Sequence, residues 1–322
     1  MIGSPGDEML ARSLPGPFMT EETARVAFIG FGEAASAFAA GWRGSVSVDC
    51  TAYDVKTDSP NAVVRAAKQA DYAADTVTGG ATLDEALDGR PLVFSLVTPD
   101  QALIVAQAAV ARLMPSALYL DGNSCSPGTK RRAASVIDDA GGRYVDVAIM
   151  APVSAAGHKT PLLISGAHAS SALAELDALD MVADVAEGPV GTASSVKMVR
   201  SIMIKGLEAL MAECVLAGRS AGVDQAVFAS LAKTFPGIDW PKTASYMLER
   251  VATHGVRRAA EMSEVEAALR ELGLDGPMTR AAAEWQAAIG SLAIDLAEDS
   301  YQSRANAILA GLKPDTKLRA LP

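Results

Sequence analysis

The sequence predicts a doubly wound, mostly parallel α/β domain followed by an all-helical domain. Three observations predict it. Short apolar, β-rich runs alternate with helical stretches through the first half. A glycine-rich turn joins the first such run to the first helix. From about Thr192 the pattern is helical almost to the end. Strands and helices in alternation bury a parallel sheet under helices on both faces.

The elements follow in order. Residues 1–23 are rich in Gly and Pro, lack the basic and apolar regions of a signal peptide, and read as a disordered leader. Ala24–Gly30 (ARVAFIG), Ser47–Asp54, Leu92–Val97, Leu118–Asp121, Tyr144–Ala148 and Leu162–Ser165 read as strands. Ser47–Asp54 alternates β-branched residues, and the apolar runs without alternation suit strands buried on both faces. Glu33–Arg43, Asp100–Arg112 and Gly128–Ala140 read as the intervening helices. A Gly/Pro break at Glu187–Gly191 marks the boundary, giving a nucleotide-binding domain over 24–190 and a helical domain over 191–322. Thr192–Ala221 contains no Pro and is apolar nearly all round, so it reads as one long helix buried between domains or subunits. Pro241–Thr253, Arg257–Leu272 and Pro277–Leu296 read as further helices, with Met262, Val265, Leu269 and Leu272 in one apolar stripe.

Composition narrows the function. With 28 basic against 38 acidic residues the net charge is −10, which argues against a nucleic-acid partner. A small anionic substrate needs only a few local cations and remains allowed. No apolar run approaches the ~20 residues of a membrane span. The three cysteines, Cys50, Cys125 and Cys214, are far apart and form no CxxC pair. This predicts a reducing, cytoplasmic setting and no metal site.

The sharpest local signal is Gly30-Phe31-Gly32-Glu33-Ala34-Ala35, which closes the first strand and opens the first helix. Gly30 permits the tight turn, Gly32 lets the backbone approach a pyrophosphate at the helix N-terminus, and Ala35 keeps helix and strand close. Asp54 ends the second strand, 22 residues after Gly32. A carboxylate there can bind the adenosine ribose hydroxyls, and it favours NAD over NADP by repelling a 2′-phosphate. Lys56 softens that preference. The expected cofactor is therefore NAD or NADP, in a Rossmann domain.

Several ordered motifs over residues 24–290 resemble the β-hydroxyacid dehydrogenases, the group that includes 3-hydroxyisobutyrate and 6-phosphogluconate dehydrogenases. The family's GxGxMG turn is similar to Gly30–Ala35. Its DxSTxSP segment is similar to Asp121–Pro127, with Asn123 at the first Ser. Its DAPVSGG segment is approximated by Ala151–Gly157, with Ala155 and Ala156 in place of glycines. Its GxGxxxKxxxN helix matches Gly191 to Lys197, with Ser201 at the Asn. The resemblance implies a homodimer or higher homo-oligomer that oxidises or reduces a small hydroxy acid. It implies Val97, Thr98 and Asn123 beside the nicotinamide, Ser154 and its neighbouring amides on the substrate carboxylate, and Lys197 as catalytic acid/base. The stretch from Trp240 through His254 to Met262 departs from the family pattern and resembles a less characterised subfamily.

Lys197, Ser201 and Lys205 recur at four-residue spacing and share one helix face. Lysines on an apolar helix face a cleft or a partner. Lys197 pairing with Glu208 or Glu213, and Lys205 with Glu208, are the structural alternatives. His254, with Arg257 and Arg258, forms a second basic cluster that either holds an anion or pairs with Glu261 and Glu264. The competing functions are imine or carbonyl reduction on the same scaffold, and dinucleotide binding without catalysis.

Overall fold

The computed structural model describes residues 19–20, 23–296 and 299–312. Most of the leader, 1–23, lies outside them. Within it, β1 (Met19–Thr20) pairs antiparallel with the start of the next strand, so these two residues belong to the sheet.

The strands are β2 (Thr23–Ile29), β3 (Val48–Tyr53), β4 (Thr78–Gly79), β5 (Leu92–Ser95), β6 (Leu118–Asp121), β7 (Arg143–Ile149), β8 (Leu162–Ser165) and β9 (Ala183–Val185). They lie in the order β4-β3-β2-β5-β6-β7-β8-β9. All these pairs are parallel except β7 with β8. The link from β7 to β8 holds little more than single helical turns, and a parallel crossover needs a longer one.

The helices between strands are α1 (Glu33–Trp42), α2 (Ala62–Ala74), α3 (Leu83–Leu87), α4 (Ala102–Ala109), α5 (Pro127–Asp139), α6 (Val153–Ala156) and α7 (Ala169–Ala178). They leave two separate cores on the sheet. Val26, Phe28, Phe38, Trp42 and Phe94 fill one. Ala27, Ile29, Val93, Tyr119 and Tyr144 fill the other. Successive residues from Val26 to Ile29 of β2 thus enter opposite cores, which is why that run is apolar throughout.

The remaining helices are α8 (Thr192–Ala221), α9 (Asp224–Thr234), α10 (Trp240–Glu271), α11 (Pro277–Gly290) and α12 (Tyr301–Gly311). The chain divides into two compact units, 1–123 with 129–194 and 124–128 with 195–322. The short stretch 124–128 therefore belongs with the helical unit, and the first residues of α8 with the sheet.

Two helices expected on either side of Gly255 are one. A Cβ on Gly255 would sit 2.2 Å from the Gln286 carbonyl oxygen, so this glycine serves the close approach of α10 to α11 rather than a break. Of the apolar stripe, Met262, Val265 and Leu269 are buried in one cluster. Leu272 is the residue that caps α10 and is exposed. Within the single chain, helix α8 buries Ala212, Val215 and Leu216 and exposes Val196, Val199, Met203, Ile204, Leu207 and Leu210. Among the described residues no helix is long and apolar enough to cross a membrane, and no cluster of His, Cys, Asp and Glu could hold a metal.

Candidate functional site

The sheet unit presents a glycine turn at the carboxyl end of β2. Gly30 has φ +84°, and a Cβ there would meet the Leu96 carbonyl oxygen at 2.5 Å. Only glycine fits this position. Gly32 caps α1 with no side-chain hydrogen bond, and a Cβ on it would meet nothing within 4 Å. The first turn of α1 thus has no side-chain cap, and the space beside Gly32 is open. That is the arrangement an anion at a helix N-terminus requires.

Phe31 is buried against Phe28 and Tyr72, with ring centroids at 5.9 and 5.1 Å, so its side chain points into the core. Its N–H donates to Asp54 Oδ2 at 2.9 Å, while Asp54 Oδ1 accepts from the Lys56 N–H at 2.9 Å. Asp54 therefore braces the turn. Carboxylate oxygens have further lone pairs, so the brace does not exhaust its capacity for hydroxyl donors. The buried Lys68 Nζ donates to the Phe31 carbonyl at 2.6 Å, lies 5.8 Å from that ring's centroid and pairs with Asp71 at 2.7 Å. Ala35 is fully buried, Ala34 is half-buried, and Glu33 is exposed.

Asn123 ties two strand ends together. Its Oδ1 accepts from the Val97 N–H at 2.6 Å, its Nδ2 donates to Ser95 Oγ at 2.9 Å, and its N–H donates to Asp121 Oδ1 at 2.9 Å. Thr98 is exposed beside Val97. Ser154, Ala155 and Ala156 are exposed on the single turn α6, which packs against α1.

Beneath these loops lies a buried charged network. Lys130 is fully buried and pairs with Asp121 at 3.0 Å and Asp146 at 3.5 Å. Tyr144 donates to Asp121 Oδ2 at 2.6 Å. Asp146 accepts from the Gly191 and Ser194 N–H groups at 3.1 and 3.0 Å and from the Ser194 and Ser165 hydroxyls. It caps α8 from a strand far away in sequence.

The helical unit carries the lysine face. Lys197 Nζ donates to Ser124 Oγ at 2.7 Å, and Ser124 follows Asn123 directly in the chain. Lys205 Nζ donates to Ser201 Oγ at 3.3 Å and pairs with Glu261 at 2.7 Å. Arg257 lies 3.8 Å from the same carboxylate. Burial pushes the Glu261 carboxyl up, but Lys205, then Arg257 and Lys197, outweigh it and hold it below the usual range. Burial works against the charge on Lys205 and lowers its pKa, although Glu261 opposes this. Lys205 thus pairs with Glu261 on α10, and Glu208 pairs instead with the buried Arg258. His254 is half-buried, and burial together with Arg250 and Arg257 lowers its pKa. Glu264 and Glu271 bind the 124–128 segment, at the Ser126 N–H (3.1 Å) and at the Ser126 hydroxyl and Gly128 N–H (2.7 and 2.8 Å).

Sequence reading missed Lys68, Lys130, Asp146 and the pairing of Lys205 with Glu261, while the expected pairing of Arg257 with Glu261 is present. The available signal was an Asp within the apolar run of β7, since a carboxylate there demands a partner.

Comparison with known proteins fits this picture. Residues 219–289 match a domain of unknown function, DUF1932. A conserved hypothetical protein from Sinorhizobium meliloti 1021 is 34% identical, with 93% of this chain and all of that one covered and a TM-score of 0.75. A conserved protein of unknown function, described as structurally similar to 3-hydroxyacid dehydrogenases, is 28% identical over 89% of this chain and 99% of its own (TM-score 0.67). The chain belongs to the same family as the Sinorhizobium meliloti protein, and its fold is that of the 3-hydroxyacid dehydrogenase-like proteins. Within that fold, Mycobacterium tuberculosis 3-hydroxyisobutyrate dehydrogenase with L-serine is 15% identical, covers 88% of this chain and 98% of its own, and has a TM-score of 0.68.

Proposed function

We propose that the protein is an NAD(P)-dependent oxidoreductase that interconverts a small hydroxy acid and its carbonyl compound, with Lys197 as general acid/base. The observation that carries this reading is the glycine turn, open at Gly32 and leading into a helix N-terminus without a side-chain cap. Gly30, Gly32 and the first turn of α1 would hold the pyrophosphate, and Asp54 the adenosine ribose. Val97, Thr98 and Asn123 would lie on the nicotinamide side. When bound, the nicotinamide supplies a hydride acceptor or donor.

The protein's own residues must then manage the proton. Oxidation of a CH–OH group gives up a hydride from carbon and a proton from oxygen. Lys197, as the neutral amine, takes that proton, and as the ammonium it returns it in the reverse direction. Ser124 holds the lysine nitrogen in place through its hydroxyl. Ser154 would bind the substrate carboxylate. Lys197→Met is expected to lower kcat by about 10²- to 10⁴-fold, with cofactor affinity unchanged. Unchanged turnover across hydroxy acids at saturating substrate and cofactor would exclude this role.

The exposed residues Val196, Val199, Met203, Ile204, Leu207 and Leu210 form one apolar stripe along α8. A two-fold contact packs one such patch against its own copy, so the stripe supports a homodimer built on this helix. Light scattering on a sizing column should give twice the 33.2 kDa chain mass.

A further inference from the structure

We propose that Lys68 is a positioning residue for the dinucleotide. It fixes the peptide between Phe31 and Gly32 so that the Gly32 N–H is held as a donor to the pyrophosphate. The proposal rests on the dinucleotide-binding part of the oxidoreductase reading and not on the role of Lys197.

Lys68 and Tyr72 are the buried residues of α2, four positions apart and so on one face of the helix. Tyr72 packs on the Phe31 ring, with centroids 5.1 Å apart. A helix that needed only packing would carry an apolar side chain at Lys68 as well, because burying an ammonium is unfavourable. At 5% exposure the lysine keeps its charge through Phe31 and its own helix. Its Nζ donates to the Phe31 carbonyl at 2.6 Å, lies 5.8 Å from the Phe31 ring centroid and pairs with Asp71 at 2.7 Å.

Phe31 is thereby held by its ring, its N–H and its carbonyl. The ring lies in the core, the N–H donates to Asp54 Oδ2 at 2.9 Å, and the carbonyl accepts from Lys68. The Phe31 carbonyl and the Gly32 N–H belong to one peptide unit, which is planar and trans, so they point in opposite directions. Drawing the carbonyl onto Lys68 therefore directs the Gly32 N–H away from Lys68. That N–H meets no acceptor among the described residues, and the space beside Gly32 is open.

Gly32 is what makes a lock necessary. A residue without a Cβ accepts either orientation of the peptide that precedes it, so the turn by itself does not decide where this N–H points. The Asp54 bond fixes the peptide one unit earlier, between Gly30 and Phe31. Among the described residues the Lys68 ammonium is the donor to the Phe31 carbonyl, and so the group that fixes the next one.

The test is displacement of bound NADH or NADPH, followed by its fluorescence, with ADP and with adenosine, which differ by the pyrophosphate alone. Lys68→Met should weaken ADP roughly tenfold, as the loss of one hydrogen bond to a charged group does, and change adenosine less than about twofold. Lys68→Arg should restore ADP affinity, because a guanidinium offers a donor to the same carbonyl. Unchanged ADP binding in Lys68→Met overturns the proposal. So does an equal weakening of ADP and adenosine, which marks a general loss of the turn. Tighter ADP binding in Asp71→Asn, which strips the ammonium of its counter-ion, would assign the effect to charge and also overturns it. A second measurement needs no Lys68 variant to fold. In wild-type protein isotope-labelled at the glycine nitrogens, the Gly32 amide signal is the one missing from Gly32→Ala. It should shift with ADP and stay in place with adenosine, and a signal indifferent to ADP overturns the proposal. A wild type that binds neither NADH nor NADPH sinks the oxidoreductase reading and the proposal together. Wild-type binding without the expected Lys68 pattern sinks the proposal alone.

Discussion

The glycine turn draws its backbone from residues 30–35 and its brace from Asp54, whereas the cluster around Glu261 gathers Lys205 from α8 and Arg257 from α10. The first is a backbone device. Its donors are N–H groups that any residue supplies, and its residue choices follow from space and φ. The second is a side-chain device, and its stability depends on which charges meet. A device made of backbone tolerates substitution except at its glycines and at the side chains that hold its peptides, while one made of charges weakens or strengthens with every charge changed.

The contrast can be broken most forcefully beneath the loops. Lys130→Met would leave Asp121 and Asp146 buried without their ammonium. A loss of about 3–5 kcal/mol is expected, read as a lower urea midpoint. A loss of unfolding free energy below about 1 kcal/mol would mean that this network is not held by its ion pairs.

The two glycines of the turn sharpen the comparison next. Gly30→Ala places a Cβ against the Leu96 carbonyl at positive φ and should destabilise the fold by about 1–3 kcal/mol. Gly32→Ala projects into open space, so the melting temperature should hold. Its methyl should weaken dinucleotide binding, read by fluorescence titration. Equal melting temperatures for the two variants would refute the division between shape and ligand.

The smallest effect is expected at Glu261. Its carboxyl is held below the ordinary value of about 4.3, so its contribution to stability is present above that value. It is lost as pH falls through the lower, folded value. Glu261→Gln should therefore lose less melting temperature than wild type as pH falls below about 4.3. Parallel acid limbs would show that its cations do not stabilise the folded carboxylate.

Much of the first unit was legible because its signals are local. The runs that became β2, β3, β5 and β6 were placed within about two residues, as apolar strands between turn signals usually can be. Helix α2 escaped notice because its face is mixed, with Lys68 buried among its alanines. Helices α9 and α12 were read only as a general helical tendency, since neither carries a strong apolar stripe. The candidate site was half legible. The turn, Asp54 and Lys197 stood out, whereas Glu261 was expected only beside Arg257 and Arg258 and not beside Lys205.

The sequence by itself determined the α/β-then-helical order, the glycine turn and the four-residue spacing of Lys197, Ser201 and Lys205. These depend on periodicity and backbone conformation, which neighbouring residues set. Only the tertiary structure decided that Lys205 meets Glu261, that Glu208 meets Arg258, that Asp146 caps α8 and that Gly255 lies inside a helix. Each of these brings together groups from different elements. Which charges become neighbours is fixed by packing, and sequence spacing carries no record of it.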